Sequence, residues 1–149
     1  MFLTMGSTAR HPLVDQAYQT RRDGDRRGAL RLYLEAAQVL EGDDATALAS
    51  ALRHAADLHK ELGEHGDAWA RYEEAWSLYQ AMAPAPALDV ANCRRPMALW
   101  QERHGAPATA LRMWREARDW YERPTGYDLQ PAFDECNRHI AALLATGAF

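Results

Sequence analysis

One spacing of residues occurs three times along this chain of 149, and nothing else in the sequence restricts its fold as tightly. An Ala is followed seven residues later by Gly, five later by Ala, four later by an aromatic and three later by another Ala. The copies are Ala17, Gly24, Ala29, Tyr33, Ala36; then Ala56, Gly63, Ala68, Tyr72, Ala75; then Ala98, Gly105, Ala110, Trp114, Ala117. Roughly one residue in five is Ala, so Ala matches arise easily. A Gly and a large aromatic held in register three times do not, and such self-similarity is the mark of a repeat architecture. Successive repeat glycines, Gly24, Gly63 and Gly105, lie 39 and 42 residues apart.

Each position has a physical use. The Gly ends a helix, where a left-handed residue is often needed. The residues after it start a second helix: Asp25 suits an N-cap, and Pro107 suits a first helical turn. Small Ala residues before and after the Gly let two antiparallel helices approach closely. The aromatic, one helical turn beyond the second Ala, lies on the same face and fills the space left by the small residues. The last Ala admits the next hairpin. The unit is therefore one helical hairpin, used three times. Scarce Val and Ile argue against a large sheet.

The spacing resembles the tetratricopeptide repeat (TPR), whose pattern places small residues, Gly, an aromatic and Ala in this order. The family period is about 34 residues; the longer periods here resemble the long-repeat variety found in kinesin light chains and many bacterial proteins. The resemblance covers about Leu13 to Tyr121 and implies an all-α fold. It predicts a right-handed α-solenoid of three hairpins and a C-terminal capping helix, seven helices in all. Residues 1–10 are expected to form a disordered arm and residues 11–149 a single TPR domain. Its repeats fall over about 11–42, 43–85 and 86–124, with the cap over about 128–146.

The seven helices are expected near residues 12–23, 25–41, 45–62, 64–82, 87–104, 107–122 and 129–146. An Asp of the Gly42-Asp43-Asp44 turn caps the third. Pro84 and Pro86 separate the fourth and fifth, because each disfavours helix in the residue before it. In the last helix Leu129, Phe133, Cys136, Ile140 and Leu143 recur at three- and four-residue steps, an amphipathic stripe. Its polar back carries Asp134, Glu135, Asn137 and Arg138, as a cap over the apolar edge of a terminal repeat requires. Trp76, Tyr79, Trp120 and Tyr121 are assigned to packing; Trp69 and Trp100 are less clearly core. The third repeat departs from the pattern. Arg94 and Gln101 stand where large apolar residues belong, as Leu13 and Leu52 do at the earlier site. Pro96 falls mid-helix and is expected to bend it. Val90, Cys93, Met97 and Trp100 form a slightly rotated apolar stripe.

Chemistry-bearing patterns are sparse. No HExxH, P-loop, G-x-S-x-G or dinucleotide-binding glycine motif occurs. His54 and His59 are five apart and share no helical face; Cys136 and His139 share one, at the edge of the apolar stripe, but only Cys93 offers a distant third ligand. Cys93 and Cys136 exclude a disulfide framework. Asp43-Asp44 and Glu73-Glu74 read as solvated charge. The expectation is a non-enzyme, with no catalytic residues, no metal and no cofactor. No apolar run approaches the roughly 20 residues of a membrane span, no signal-peptide core is seen, and a cytoplasmic setting is expected. A net charge of −4 argues against nucleic acid as partner. The Arg-rich composition, with Lys60 the single Lys, points to a GC-rich bacterial genome.

The resemblance implies a concave groove lined by the first helix of each hairpin. Carried over by position, the first repeat offers His11, Val14, Asp15, Tyr18, Arg21 and Arg22. The second offers Ser50, Arg53, His54, Asp57, Lys60 and Glu61. The third offers Asn92, Arg95, Pro96, Leu99, Glu102 and Arg103. The principal groove residues are Tyr18, Arg21, Arg22, Arg53, His54, Asp57, Lys60, Arg95, Leu99 and Arg103. Six basic side chains face four acidic ones, a basic groove in an acidic chain. An acidic segment or a C-terminal carboxylate of another protein is thus the expected ligand, since Arg offers bidentate contacts. The competing reading is a solvated face with local pairs such as Arg53 with Asp57. The carboxylate clamp of chaperone-tail adaptors is missing, because Val14, Tyr18, His54, Asn92 and Pro96 occupy its positions. The alternative function is self-assembly of a homo-oligomer, through the C-terminal Ala145–Phe149 segment or an exposed groove.

Overall fold

A computed structural model describes residues 11–147. The expected arm over residues 1–10, together with Ala148 and Phe149, lies outside the described residues. Among the described residues seven α-helices follow one another: α1 (Pro12–Arg22), α2 (Arg26–Leu40), α3 (Ala45–Glu61), α4 (His65–Gln80), α5 (Ala87–Arg103), α6 (Pro107–Tyr121) and α7 (Gln130–Ala145). No strand occurs among the described residues. All seven expected helices are present, with ends within about two residues of those read from the sequence, the usual uncertainty of a helix boundary. None is long and apolar enough to cross a membrane.

The helix ends follow from local chemistry. Asp25 and Asp44 cap α2 and α3, each accepting with its side chain from the backbone N–H three residues on, at 2.8 Å from Gly28 and 3.0 Å from Ala47. Pro12, Pro107 and Pro131 sit in first turns, where a missing N–H costs nothing. The three repeat glycines close three turns of one kind. Gly24, Gly63 and Gly105 have φ of +92°, +78° and +82°. In each turn the next residue donates its N–H to the carbonyl five residues back: Asp25 to Thr20 at 3.1 Å, Glu64 to His59 at 2.8 Å, Ala106 to Gln101 at 3.0 Å. This is the Schellman ending, and its left-handed residue is why Gly recurs there.

The other four repeat positions are all interior. Ala17, Ala56 and Ala98 are fully buried, as are Ala29, Ala110, Ala36, Ala75 and Ala117, and Ala68 is nearly so. Tyr33, Tyr72 and Trp114 are 1%, 2% and 0% exposed. Small residues allow close approach of the helices and the aromatic fills what remains. Each ring buries enough apolar surface to contribute about 2–3 kcal/mol.

The chain divides into two compact units between Ala75 and Trp76, a point inside α4. In the first unit α1 packs on α2 and α2 on α3. Tyr72 of α4 donates its hydroxyl to Asp57 of α3. In the second unit α5 packs on α6 and α6 on α7. The stripe of α7 buries Cys136, Ile140 and Leu143, with Phe133 half-buried. Of the aromatics assigned to packing, Trp76, Tyr79 and Tyr121 are buried and Trp120 is half-buried.

Helix α5 is unbroken across Pro96 and is buried around most of its circumference. Pro96 itself is buried, which corrects its assignment to an open face; it joins the rotated stripe of Val90, Cys93 and Met97. Arg94 is buried as well. Its Nε lies 2.7 Å from Glu116 of α6, and its guanidinium stacks 3.9 Å above the ring of Trp76. Trp76 meets Trp120 edge-on at 6.4 Å, and Arg123 covers Trp120 at 3.5 Å. An Arg thus fills an apolar site of the repeat because a carboxylate and an indole face receive its charge.

Candidate functional site

Seven of the ten principal groove residues fall in the first unit and three in the second. In the first unit they lie on α1 and α3. Tyr18 is exposed on α1, and the Arg22 guanidinium sits 5.8 Å from the centre of its ring. One turn away, Arg21 pairs with Glu61 at the end of α3. Arg26 approaches the other oxygen of that carboxylate at 3.1 Å. On α3, Arg53 reaches Asp57 at 3.5 Å, one helical turn on, and the second oxygen of Asp57 accepts from Tyr72. His54 is half-buried and stacks on Tyr33 of α2 with ring centres 5.0 Å apart. Lys60 is exposed. Among the described residues neither Lys60 nor Arg22 has an ion-pair partner.

The turn after α3 carries a further cluster. His59 is 8% exposed, and its Nδ1 lies 3.1 Å from Oε1 of Glu64. Arg27 donates to Oε2 of the same carboxylate at 3.0 Å. Arg27 first, then His59, holds the Glu64 carboxyl below its ordinary range. A ligand atom of Asp67 completes a set of three with those of His59 and Glu64.

In the second unit the three groove residues divide. Arg95 of α5 forms a two-pronged pair with Glu135 of α7, at 3.1 and 2.7 Å. The pair raises the Arg95 pKa and lowers that of Glu135. Leu99 is half-buried, and Arg103 is exposed with no ion-pair partner among the described residues. Glu102 faces inward. It accepts from the Trp114 indole N–H at 3.0 Å and meets His139 Nδ1 at 2.8 Å, while the imidazole stacks on Trp114 at 4.1 Å. Trp100, less clearly core from the sequence, is half-buried and stacks on His104 at 4.0 Å. Tyr121 donates to the Asn92 side chain at 2.8 Å, and burial pushes its hydroxyl pKa up. Burial likewise pushes the Cys136 thiol up to about 11, so it stays protonated at neutral pH.

Counting charges along the first helices therefore overstates what a ligand meets. Arg21, Arg53 and Arg95 are held by Glu61, Asp57 and Glu135. The open cations among the groove residues are Arg22 and Lys60 in the first unit and Arg103 in the second. The roles of Glu135 and Arg26 were not legible from the sequence. Glu135 reads as part of the polar back of the last helix, and no periodicity marks a residue that reaches a neighbouring element. Arg94 did carry a signal, a charge at an apolar site of the repeat. No family model and no curated protein matches the chain.

Proposed function

We propose that the chain is a TPR-type helical-repeat module, a short right-handed solenoid capped by α7. It binds a segment of another protein and catalyses no reaction. The coincidence of sequence repeat with structure supports the architecture: three turns of one geometry, and twelve repeated Ala and aromatic positions all interior. Such positions are packing positions, which leaves the first helices to supply recognition.

The observation that carries the binding reading is the exposed ring of Tyr18 with Arg22 and Lys60 on α1 and α3. An aromatic with Arg22 over its ring, and a second open cation exposed on α3, suits an acidic segment with an apolar residue near its charges. The aromatic supplies area at low entropic cost, and the cations supply orientation and rate of encounter. Two buried free thiols suit a reducing, cytoplasmic setting. The test is binding to an array of peptides graded in Asp and Glu content. The wild type is compared with a variant carrying Arg22→Glu and Lys60→Glu, both shown to have the same helical circular dichroism. Preference for acidic peptides should be lost or inverted in the variant. An unchanged profile places binding elsewhere and sinks this reading.

Self-assembly remains the second reading, because α7 exposes Leu144 beside Ala141, Ala142 and Ala145. The other apolar terminus in that reading, Phe149, lies outside the described residues. Sedimentation over a dilution series decides it: a monomer at every concentration removes it.

A further inference from the structure

We propose that the turn between α3 and α4 binds one first-row divalent metal ion through His59, Glu64 and Asp67. One ligand atom from each of the three lies within 4.8 Å of the other two. The backbone is what brings them together. In a Schellman ending the side chains at the third-last helical residue and two beyond the cap meet, usually as an apolar contact. In this turn those two residues are His59 and Glu64, whose Nδ1 and Oε1 are 3.1 Å apart. Asp67 lies in the first turn of α4 and reaches the same point.

The turn does not need these residue types. The equivalent positions are Thr20, Asp25 and Gly28 in the first repeat and Gln101, Ala106 and Thr109 in the third. Both of those turns close with the same long hydrogen bond. The N-terminus of α4 accounts for carboxylates near it. It does not account for an imidazole only 8% exposed on the preceding helix and turned toward them.

The donor set is one nitrogen and two carboxylate oxygens, borderline in softness and suited to Zn²⁺ or Co²⁺ with solvent completing the shell. Bonds of about 2.0–2.2 Å put donors roughly 3.3–3.6 Å apart, so His59 and Glu64 must open slightly and Asp67 close in by up to about an ångström. Asp67 is exposed and can swing inward. Arg27 opposes the metal, because it occupies Oε2 of Glu64 and adds a positive charge. The ion would join the end of one helix to the start of the next. This inference is independent of the peptide reading, and its failure leaves that reading untouched.

The experiment uses the full chain without an affinity tag, cleared of metal by chelation. Zn²⁺ is titrated by calorimetry and Co²⁺ by visible absorption at pH 7. One ion per chain should bind. His59→Gln and Asp67→Asn should each weaken binding at least about tenfold, since each removes a ligand. Arg27→Gln should tighten it about threefold or more by releasing Glu64 and removing a nearby charge. No saturable binding by the wild type overturns the proposal, as does unchanged affinity in both ligand variants. If His59→Gln loses helical content, Asp67→Asn at its exposed position decides alone. An Arg27→Gln variant that binds no tighter overturns the three-ligand assignment.

Discussion

The two units use one repeat frame and treat its polar positions differently. In the first, the site four residues before the repeated first-helix Ala is Leu13, half-buried, and Leu52, buried; in the second it is Arg94, as buried as Leu52. The first unit pairs its first-helix cations with first-helix carboxylates, Arg21 of α1 with Glu61 of α3 and Arg53 with Asp57 one turn on. The second unit sends Arg95 to Glu135 of α7 and buries Arg94 against Glu116 and Trp76. A repeat thus dictates which positions are interior, while the charge at those positions is free to vary wherever a partner is in reach.

The largest effect expected from breaking this comparison is at the repeat aromatic. Trp114 is fully buried, donates to Glu102 and stacks on His139. Trp114→Ala should cost about 3–5 kcal/mol in urea or guanidinium unfolding. Loss of less than about 1 kcal/mol would falsify its role as the filler of the hairpin.

The next effect separates the units directly. Arg94→Ala empties a buried site and leaves the half-buried Glu116 with only Arg112, at 3.1 Å, and should cost about 2–4 kcal/mol. Arg94→Leu leaves the same carboxylate but refills the space with the side-chain type found at the same site in the first unit, so it should cost about 1–2 kcal/mol less than Arg94→Ala. Chemical denaturation of both variants measures the difference. If Leu is as damaging as Ala, the indole-stacked cation is itself required.

A smaller effect tests what the units share. Gly63→Ala meets no steric neighbour, so its cost is the left-handed φ of +78° alone. It should destabilise by about 1 kcal/mol, and Gly105→Ala by a similar amount. Thermal unfolding of the two variants gives the comparison, and strongly unequal values would show that the turns are not equivalent.

The smallest effect is in the α5–α7 pair. The Glu135 pKa is lowered from 4.5 by Arg95, so the folded state favours the charged carboxylate. Its contribution is therefore present above the unfolded value and is lost as pH falls through the lower folded value. Both side chains are partly solvated, and the pair is worth about 0.5–1 kcal/mol. Unfolding curves collected from pH 6 downward should show an acid-side loss that Glu135→Gln reduces. An identical acid limb in the variant would mean the pair adds nothing to stability.

Much of the secondary structure was legible residue by residue. Asp25 and Asp44 as caps, Pro107 in a first turn, and Gly24, Gly63 and Gly105 as left-handed endings are decided within a few residues of chain. So is the stripe Cys136, Ile140 and Leu143. The placement of Pro96 on an open face came from register alone, and α5 instead buries that position within its rotated stripe. The charge left open on the first helices was not legible, because Glu135 looks like any solvated residue on the back of a helix.

By itself, then, the sequence determined the seven helices, the three matched turns and the buried Ala and aromatic positions. Those follow from short-range dihedral preference and from periodicity, which are written along the chain. Only the tertiary structure decided that Glu135 neutralises Arg95, that Glu116 and Trp76 accept a buried Arg94, and that His59, Glu64 and Asp67 converge. A long charged side chain pairs according to what stands a few ångströms from its tip. That neighbour belongs to another element whose rotation is set by the packed core, and no local pattern records it.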